Sequence, residues 1–314
     1  MVRIDVVVIS EKVNGRQLPE LRAKGTALAG RTARRRILKV TLAGDDYADV
    51  TTQPRADLLA AEEPLGIRVD GKALTMTMRT PGDDIDLAAG FLVGEAMVAQ
   101  PEDIKEIKLC DGASCRHAHH ESHDDIGNIA DVTLAGGRPV SSGHTGRSFM
   151  TTSACGVCGK TSIDDICVLP HQALKDDHTV FDPAALARLP GRLRESQKIF
   201  ASTGGLHAAG LFTSDGELVA VREDVGRHNA VDKIVGWALL NGRLPLAGHV
   251  LLVTGRASFE LVQKTVLAGI PMLATVSAPS SLAAELADEA GLTLVGFLRG
   301  ESMNVYTGAP RVAC

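Results

Sequence analysis

HVLLVTGRASFELVQKTVLAGIPMLATVSAPSSLAAELADEAGLTLVGFL, residues 249–298, has the clearest structural grammar in the chain. His249 to Thr254 is a short apolar run of the kind a fully buried strand needs. Ser258 to Ala268 then repeats apolar residues at helical spacing until Gly269 closes the helix. Met272 to Val276 reads as a second strand, Ser280 caps a helix through Ala290, Gly291 stops it, and Leu292 to Leu298 is a third strand. Strand, helix, strand, helix, strand implies at least partly parallel pairing and an α/β (α+β) fold class. Ligands of open α/β sheets bind at the carboxyl ends of the strands. Here those ends are the loops Thr254 to Ser258, Ser277 to Ser281 and Arg299 to Ser302. Two of them feed helix N-termini, and Arg256 and Arg299 add positive charge, so a phosphorylated cofactor is a natural occupant. Ordinary capping by Ser258 and Ser280 would also account for part of this composition.

Working outward, Leu211-Phe212 and Leu218 to Val221 form a hairpin about Asp215-Gly216. Arg227 to Leu240 reads as a helix with Val231, Ile234, Val235, Ala238 and Leu239 on its apolar face. Leu65 to Val69 and Leu74 to Met78 form another hairpin through Asp70-Gly71, with Leu74, Met76 and Met78 expected on its buried face. Thr80 to Asp84 breaks that strand and leads into a helix from about Ile85 to Val98, Leu87 and Phe91 facing inward. Two irregular stretches stand out, an acidic and histidine-rich insertion from Cys110 to Asn128 and a Gly- and Ser-rich run from Ala135 to Thr152. The division expected is a flexible lead-in over residues 1–36, a β-rich domain over 37–150 and an α/β domain over 151–314.

The chain has 314 residues, 45% of them hydrophobic, and a net charge of −5 with both signs interspersed. No basic field attracts nucleic acid or a membrane surface. No apolar run approaches the roughly 20 residues of a membrane span, and Arg3 and Asp5 interrupt the start where a signal peptide needs an apolar core. A cytoplasmic location is expected. Six cysteines are too few for a disulfide scaffold at this length, so they are read for reactivity or metal binding.

Cys155-Gly156-Val157-Cys158-Gly159-Lys160 sets two thiols three positions apart on a glycine-permissive segment, with Lys160 close enough to favour a thiolate. Sulfur transfer needs such an exposed nucleophilic thiolate. The same letters fail as a phosphate loop, because Ala154 stands where the first glycine is required. A rival reading joins Cys110 and Cys115 to Cys155 and Cys158 in a structural zinc site, with His117, His119 and His120 as spare ligands. Residues 202–209 and 222–229 are dense in ionisable groups beside glycine: His207, Arg222, Arg227 and His228 could hold phosphates or tune a thiol, and Asp224 could orient an imidazole. An internal salt-bridge network is the competing explanation.

Taken in order, EPLGIRVDG, MRTPGDDIDLAAGFLVGE, SACGVCGK, TGGLHAAGLF, REDVGRHNAVDKIVGWAL, TGRASFELVQK, VSAPSSLAAELA and GFLRGESMNVY resemble the formate dehydrogenase accessory sulfurtransferases, the FdhD family. The resemblance runs from about Glu63 to Tyr306. It implies a cytidine-deaminase-like C-terminal domain behind a smaller, mainly β N-terminal one. It also implies a sulfur carrier that takes a persulfide from a cysteine desulfurase and delivers it to the molybdenum cofactor of formate dehydrogenase, a bis-molybdopterin guanine dinucleotide. Cys155 then matches the persulfide cysteine and Cys158 the second thiol. Phe297, Leu298, Arg299, Gly300, Glu301 and Ser302 match the segment that contacts the cofactor's nucleotide, for which a free guanine nucleotide could stand in. A homodimer is implied as well, and no metal ligand set is assigned to the chain. Deamination is set aside because Ala154 replaces the proline that precedes the zinc-binding cysteine pair of deaminases. A cofactor chaperone without sulfur transfer and a zinc-stabilised structural protein are the alternatives carried forward.

Overall fold

Residues 249–298 fold as their pattern predicts. In the computed structural model, which describes residues 30–110, 128–137, 174 and 176–313 in full and only the backbone of 4–8, 12–13, 16–17 and 149–150, three parallel strands alternate with two helices. They are β13 (His249–Val253), α5 (Phe259–Leu267), β14 (Met272–Thr275), α6 (Ser281–Ala290) and β15 (Thr293–Arg299). The hairpin β11 (His207–Thr213) and β12 (Leu218–Asp224) adds antiparallel to β13, and β16 (Ser302–Thr307) adds antiparallel to β15. The sheet therefore runs β12-β11-β13-β14-β15-β16.

Both faces of this sheet are covered, which is why its central strands are continuous apolar runs rather than alternating ones. Val250, Leu252, Met272 and Ala274 face Leu186, Leu189 and Leu193 of α2 (Pro183–Ser196). Leu251, Val253 and Leu273 join a larger cluster with α5, α6 and α4 (Arg227–Leu240). A short helix, α3 (Lys198–Thr203), precedes β11.

The N-terminal sheet has the order β10-β7-β6-β9-β8. Its strands are β6 (Glu63–Val69), β7 (Lys72–Arg79), β8 (Ile104–Cys110), β9 (Ile129–Leu134) and β10 (Phe149–Met150). Leu65, Ile67, Val69, Ala130 and Val132 lie in the same large cluster as α4 and α1 (Asp84–Gly94). A smaller β-rich region and a larger α/β region thus share one core.

Several expectations are corrected. Met76 and Met78 are 54% and 47% exposed, whereas Thr75 is buried: a bulge on β7, opposite Ile67 and Arg68, leaves Leu74 as the extra residue and resets the phase, so only Leu74 of the expected trio is buried. Helix α1 ends at Gly94 instead of Val98. Ala96 adopts a left-handed conformation (φ 55), and the Met97 N–H reaches back to the Leu92 carbonyl at 2.9 Å. Part of the expected lead-in is strand, since β4 (Thr32–Ala43) pairs antiparallel with β1 (Ile4–Val8) and with β5 (Asp49–Ala60). The apolar face of α4 lies inside the chain as expected, where Val231, Ile234, Val235, Ala238 and Leu239 are at most 1% exposed. No described helix is long and apolar enough to cross a membrane.

Candidate functional site

The site grows from strand order. Because β11 runs antiparallel to both β12 and β13, its first residue, His207, sits opposite Asp224 at the end of β12 and beside Thr254 just past the end of β13. Thr254 Oγ1 accepts from the Ala208 N–H at 2.9 Å and lies 3.5 Å from His207 Nδ1. The next position, Gly255, is glycine, and a Cβ there would come within 2.8 Å of Arg227 Cδ, so that any larger residue would have to displace the arginine, and would meet His207 Cε1 at 3.6 Å. Arg227 and His207 thereby close over the loop at the carboxyl edge of the sheet.

The three predicted loops are stitched together there. Thr275 donates its hydroxyl hydrogen to the Gly255 carbonyl, the Ser280 N–H donates to Ala257 O at 3.0 Å, and the Phe297 N–H donates to Ser277 O at 3.0 Å. Phe297 is itself unusual: an aromatic residue with φ 50, at an irregularity of the β15–β16 pairing between Gly296 and Arg299. A bulky side chain holds that backbone only under strain, and such strain gathers at functional sites. The Arg299 guanidinium lies 5.4 Å from the centre of the Phe297 ring. Arg299, Gly300, Glu301 and Ser302 are exposed, but Leu298 points into the apolar cluster, so any ligand contact it makes is through backbone.

The two serines expected as caps behave differently. Ser280 caps α6, accepting from the Ala283 N–H at 3.2 Å. Ser258 makes no side-chain cap of α5 and instead meets His228 Nε2 at 3.0 Å. Glu260 Oε2 lies 3.7 Å from the same nitrogen. Burial would raise the Glu260 carboxyl, but hydrogen bonds from His228, from its own backbone amide and from Ser258 outweigh it, and the group sits below the ordinary glutamate value. Burial lowers the His207 imidazole, with Arg227 and His228 adding to the effect and Asp224 opposing it.

Of the residues singled out in the sequence, His207, Arg227, His228 and the three loops meet at this edge. Arg222 does not: its Nη2 donates to Asp86 Oδ2 at 2.9 Å, locking β12 to α1. Asp224 faces inward into a polar cluster with Thr80, Asn229 and Lys233, which sequence reasoning missed. Cys155 and Cys158 lie outside the described residues. Cys110 is disulfide-bonded, which removes one thiolate from the four-cysteine zinc reading. A cleft lined by Asp177, His178, Asp288 and Arg311 opens at the other end of the strands. Arg311 is spent there on the carbonyls of Leu174, Asp177 and Gly291, leaving the cleft a structural knot.

The FdhD/NarQ family model matches residues 60–313, most of the chain. This protein belongs to the FdhD/NarQ family. It is 55% identical over 283 residues to the sulfur carrier protein FdhD of Streptomyces coelicolor, covering 90% of this chain and 96% of that one. It is 52% identical over 286 residues to the sulfur carrier protein FdhD of Nocardia farcinica, covering 91% and 96%. A crystal structure described as a formate dehydrogenase accessory protein from Desulfotalea psychrophila superposes with a TM-score of 0.65 at 25% identity, covering 90% of this chain and all of that one. The FdhD/NarQ match spans both sheets and the whole carboxyl edge, so the edge belongs to the family's architecture.

Proposed function

We propose that this FdhD/NarQ member carries sulfur as a persulfide on Cys155, taking it from a cysteine desulfurase and delivering it to the molybdenum cofactor of formate dehydrogenase. Acceptance is a balanced exchange. The Cys155 thiolate attacks the terminal sulfur of the donor persulfide, a new S–S bond forms at Cys155, the donor's S–S bond breaks, and the donor leaves as thiolate. Cys158 then assists by hydrogen bonding, by relaying the sulfane sulfur, or by attacking Cys155 to form a disulfide and free hydrosulfide.

The observation that carries the ligand half of this reading is the strained Phe297 beside Arg299, on an edge that also presents Arg227 and His207. A guanidinium and an aromatic face suit the base and phosphates of a guanine nucleotide, so the substrate class proposed is a bis-guanine-dinucleotide cofactor bound along Phe297 to Ser302. The hairpin followed by a parallel run supports a cytidine-deaminase-like C-terminal unit, with the boundary placed near residue 150. A cytoplasmic homodimer that binds neither nucleic acid nor membrane completes the proposal.

Mass spectrometry after incubation with a cysteine desulfurase and free cysteine tests it. A gain of about 32 Da on Cys155, lost in Cys155→Ser together with activation of the client enzyme, is the expected result. A chain whose two cysteines can both become Ser while the client is still activated is a cofactor chaperone, and the carrier reading is then wrong.

A further inference from the structure

Thr80 ends the β6–β7 hairpin and turns the chain toward α1, with no exposed surface. All three of its hydrogen-bonding groups are taken by the α/β region. Its N–H donates to Asp224 Oδ2 at 3.1 Å, its hydroxyl oxygen accepts from the Val225 N–H at 3.1 Å, and its carbonyl accepts from Lys233 Nζ at 2.9 Å. Lys233 Nζ also donates to Asp224 Oδ2 at 2.7 Å, in a pair whose side chains are 1% and 0% exposed. The other carboxylate oxygen of Asp224 accepts from the Gly226 N–H at 2.8 Å and from Asn229 Nδ2 at 3.0 Å. Asn229 in turn holds β7, donating to Met78 O at 2.8 Å and accepting from the Thr77 hydroxyl at 3.2 Å.

Stability alone is a poor reason for such a cluster, because well-packed apolar residues usually replace a buried ion pair without loss. What a fully satisfied polar network supplies is one fixed arrangement of the segments it joins. On one side it grips the end of β7, the strand that pairs in parallel with β10, five residues before Cys155. On the other it grips Asp224 to Asn229, which start α4 and present Arg227 and His228 at the carboxyl edge.

We propose that Thr80, Asp224 and Lys233 form a positioning latch for sulfur delivery. It holds the strand pair leading to the cysteine motif in register with the edge that receives the cofactor. This rests on the sulfur-carrier reading above. Acceptance from a desulfurase involves the cysteine segment alone, whereas delivery needs both parts in place. A small misplacement of reacting groups costs roughly a hundredfold in rate when geometry supplies the acceleration.

The test compares full-length wild type, Thr80→Val, which exchanges the hydroxyl for a methyl group of similar size, and Thr80→Ser, which keeps the hydroxyl. Persulfide loading by a desulfurase is read by mass, and activation of sulfur-free formate dehydrogenase is read as a function of carrier concentration. Thr80→Val is expected to load to the wild-type extent and to half-saturate at the wild-type concentration, while its maximal activation rate falls about tenfold or more. Thr80→Ser restores that rate. Should Thr80→Val not fold, Thr77→Val removes an outer bond of the same cluster and is expected to show the same split at a few-fold. A wild-type maximal rate in the folded valine variant overturns the latch, as does a parallel fall of loading, delivery and cooperative melting. A wild type that takes up no sulfur refutes the carrier reading itself, and no variant is needed to see that.

Discussion

His207 is the residue whose surroundings make the plainest pH statement. Burial, then Arg227 and His228, hold its imidazole below the ordinary histidine value of 6.5. Above 6.5 neither the folded nor the unfolded chain binds a proton there, so its contribution to stability is complete. As pH falls below 6.5 the unfolded chain takes up a proton that the folded chain refuses, and stability is lost until the lowered folded value is reached. Glu260, held below 4.5, acts in the same direction but in a lower window, where falling pH protonates a carboxylate that folding favours as the anion. Urea unfolding at stepped pH is therefore expected to give His207→Gln a flatter stability profile than wild type between 6.5 and 4.5; equal slopes there would contradict the assignment. His207, Arg227 and His228 were legible in the sequence because ionisable groups crowded beside glycine mark close backbone approach. Thr80, Asn229 and Lys233 were not. A lysine two positions after Val231 on a helix looks like its wet side, and only the arrival of Thr80 from 153 residues away turns that side into an interior.

Helices α1 and α4 cross with almost no side chain between them. A Cβ on Gly90 would lie 1.8 Å from the Asp232 carbonyl oxygen, and one on Gly236 would lie 1.8 Å from that of Asp86. Neither is a conformational glycine; each is there so that two backbones can touch. Alanine at Gly90 would gain about 1 kcal/mol of helix propensity, but it forces the crossing apart, and overpacking of that severity costs about 3 kcal/mol or more. Gly90→Ala is accordingly expected to lower unfolding stability by at least about 2 kcal/mol in urea titration. Gly191→Ala, in the exposed middle of α2 with open space around it, should raise stability slightly. If both substitutions behave alike, the crossing is not as tight as drawn. The elements legible in the sequence were those whose burial is uniform or strictly periodic, as in β13, α5, β14, α6 and β15. The end of α1 was hidden because Ala96 occupies the left-handed position where a glycine would have signalled the stop. The β4–β5 ribbon was hidden because little of it is buried on either face, leaving no alternation to read.

At the scale of the molecule, that ribbon stands apart from everything the two sheets share. Among the described residues, Ile37 is the only buried apolar side chain before Leu65, while the FdhD/NarQ match begins at residue 60. The large cluster that unites β6, β7, β9, α1, α4, α5 and α6 takes nothing from β4 or β5. Among the described residues, those before Glu62 reach the rest where β5 meets α3 and through polar links such as Arg31 Nη2 to Asp83 Oδ2 at 2.7 Å, an exposed pair of the kind worth about 1 kcal/mol at most. Burial of one isoleucine contributes about 1.5–3 kcal/mol. Removing the ribbon therefore costs less than the 5–15 kcal/mol by which folded domains are usually stable. A chain starting at Glu62 is expected to unfold in one cooperative urea transition, about 2–4 kcal/mol below the full chain. It should still accept persulfide sulfur on Cys155, because the cysteine segment is retained, and still deliver it, because the latch, the shared core and the carboxyl edge are retained as well. A truncated chain without a cooperative transition would mean that the ribbon organises the β-rich region and does not merely extend it.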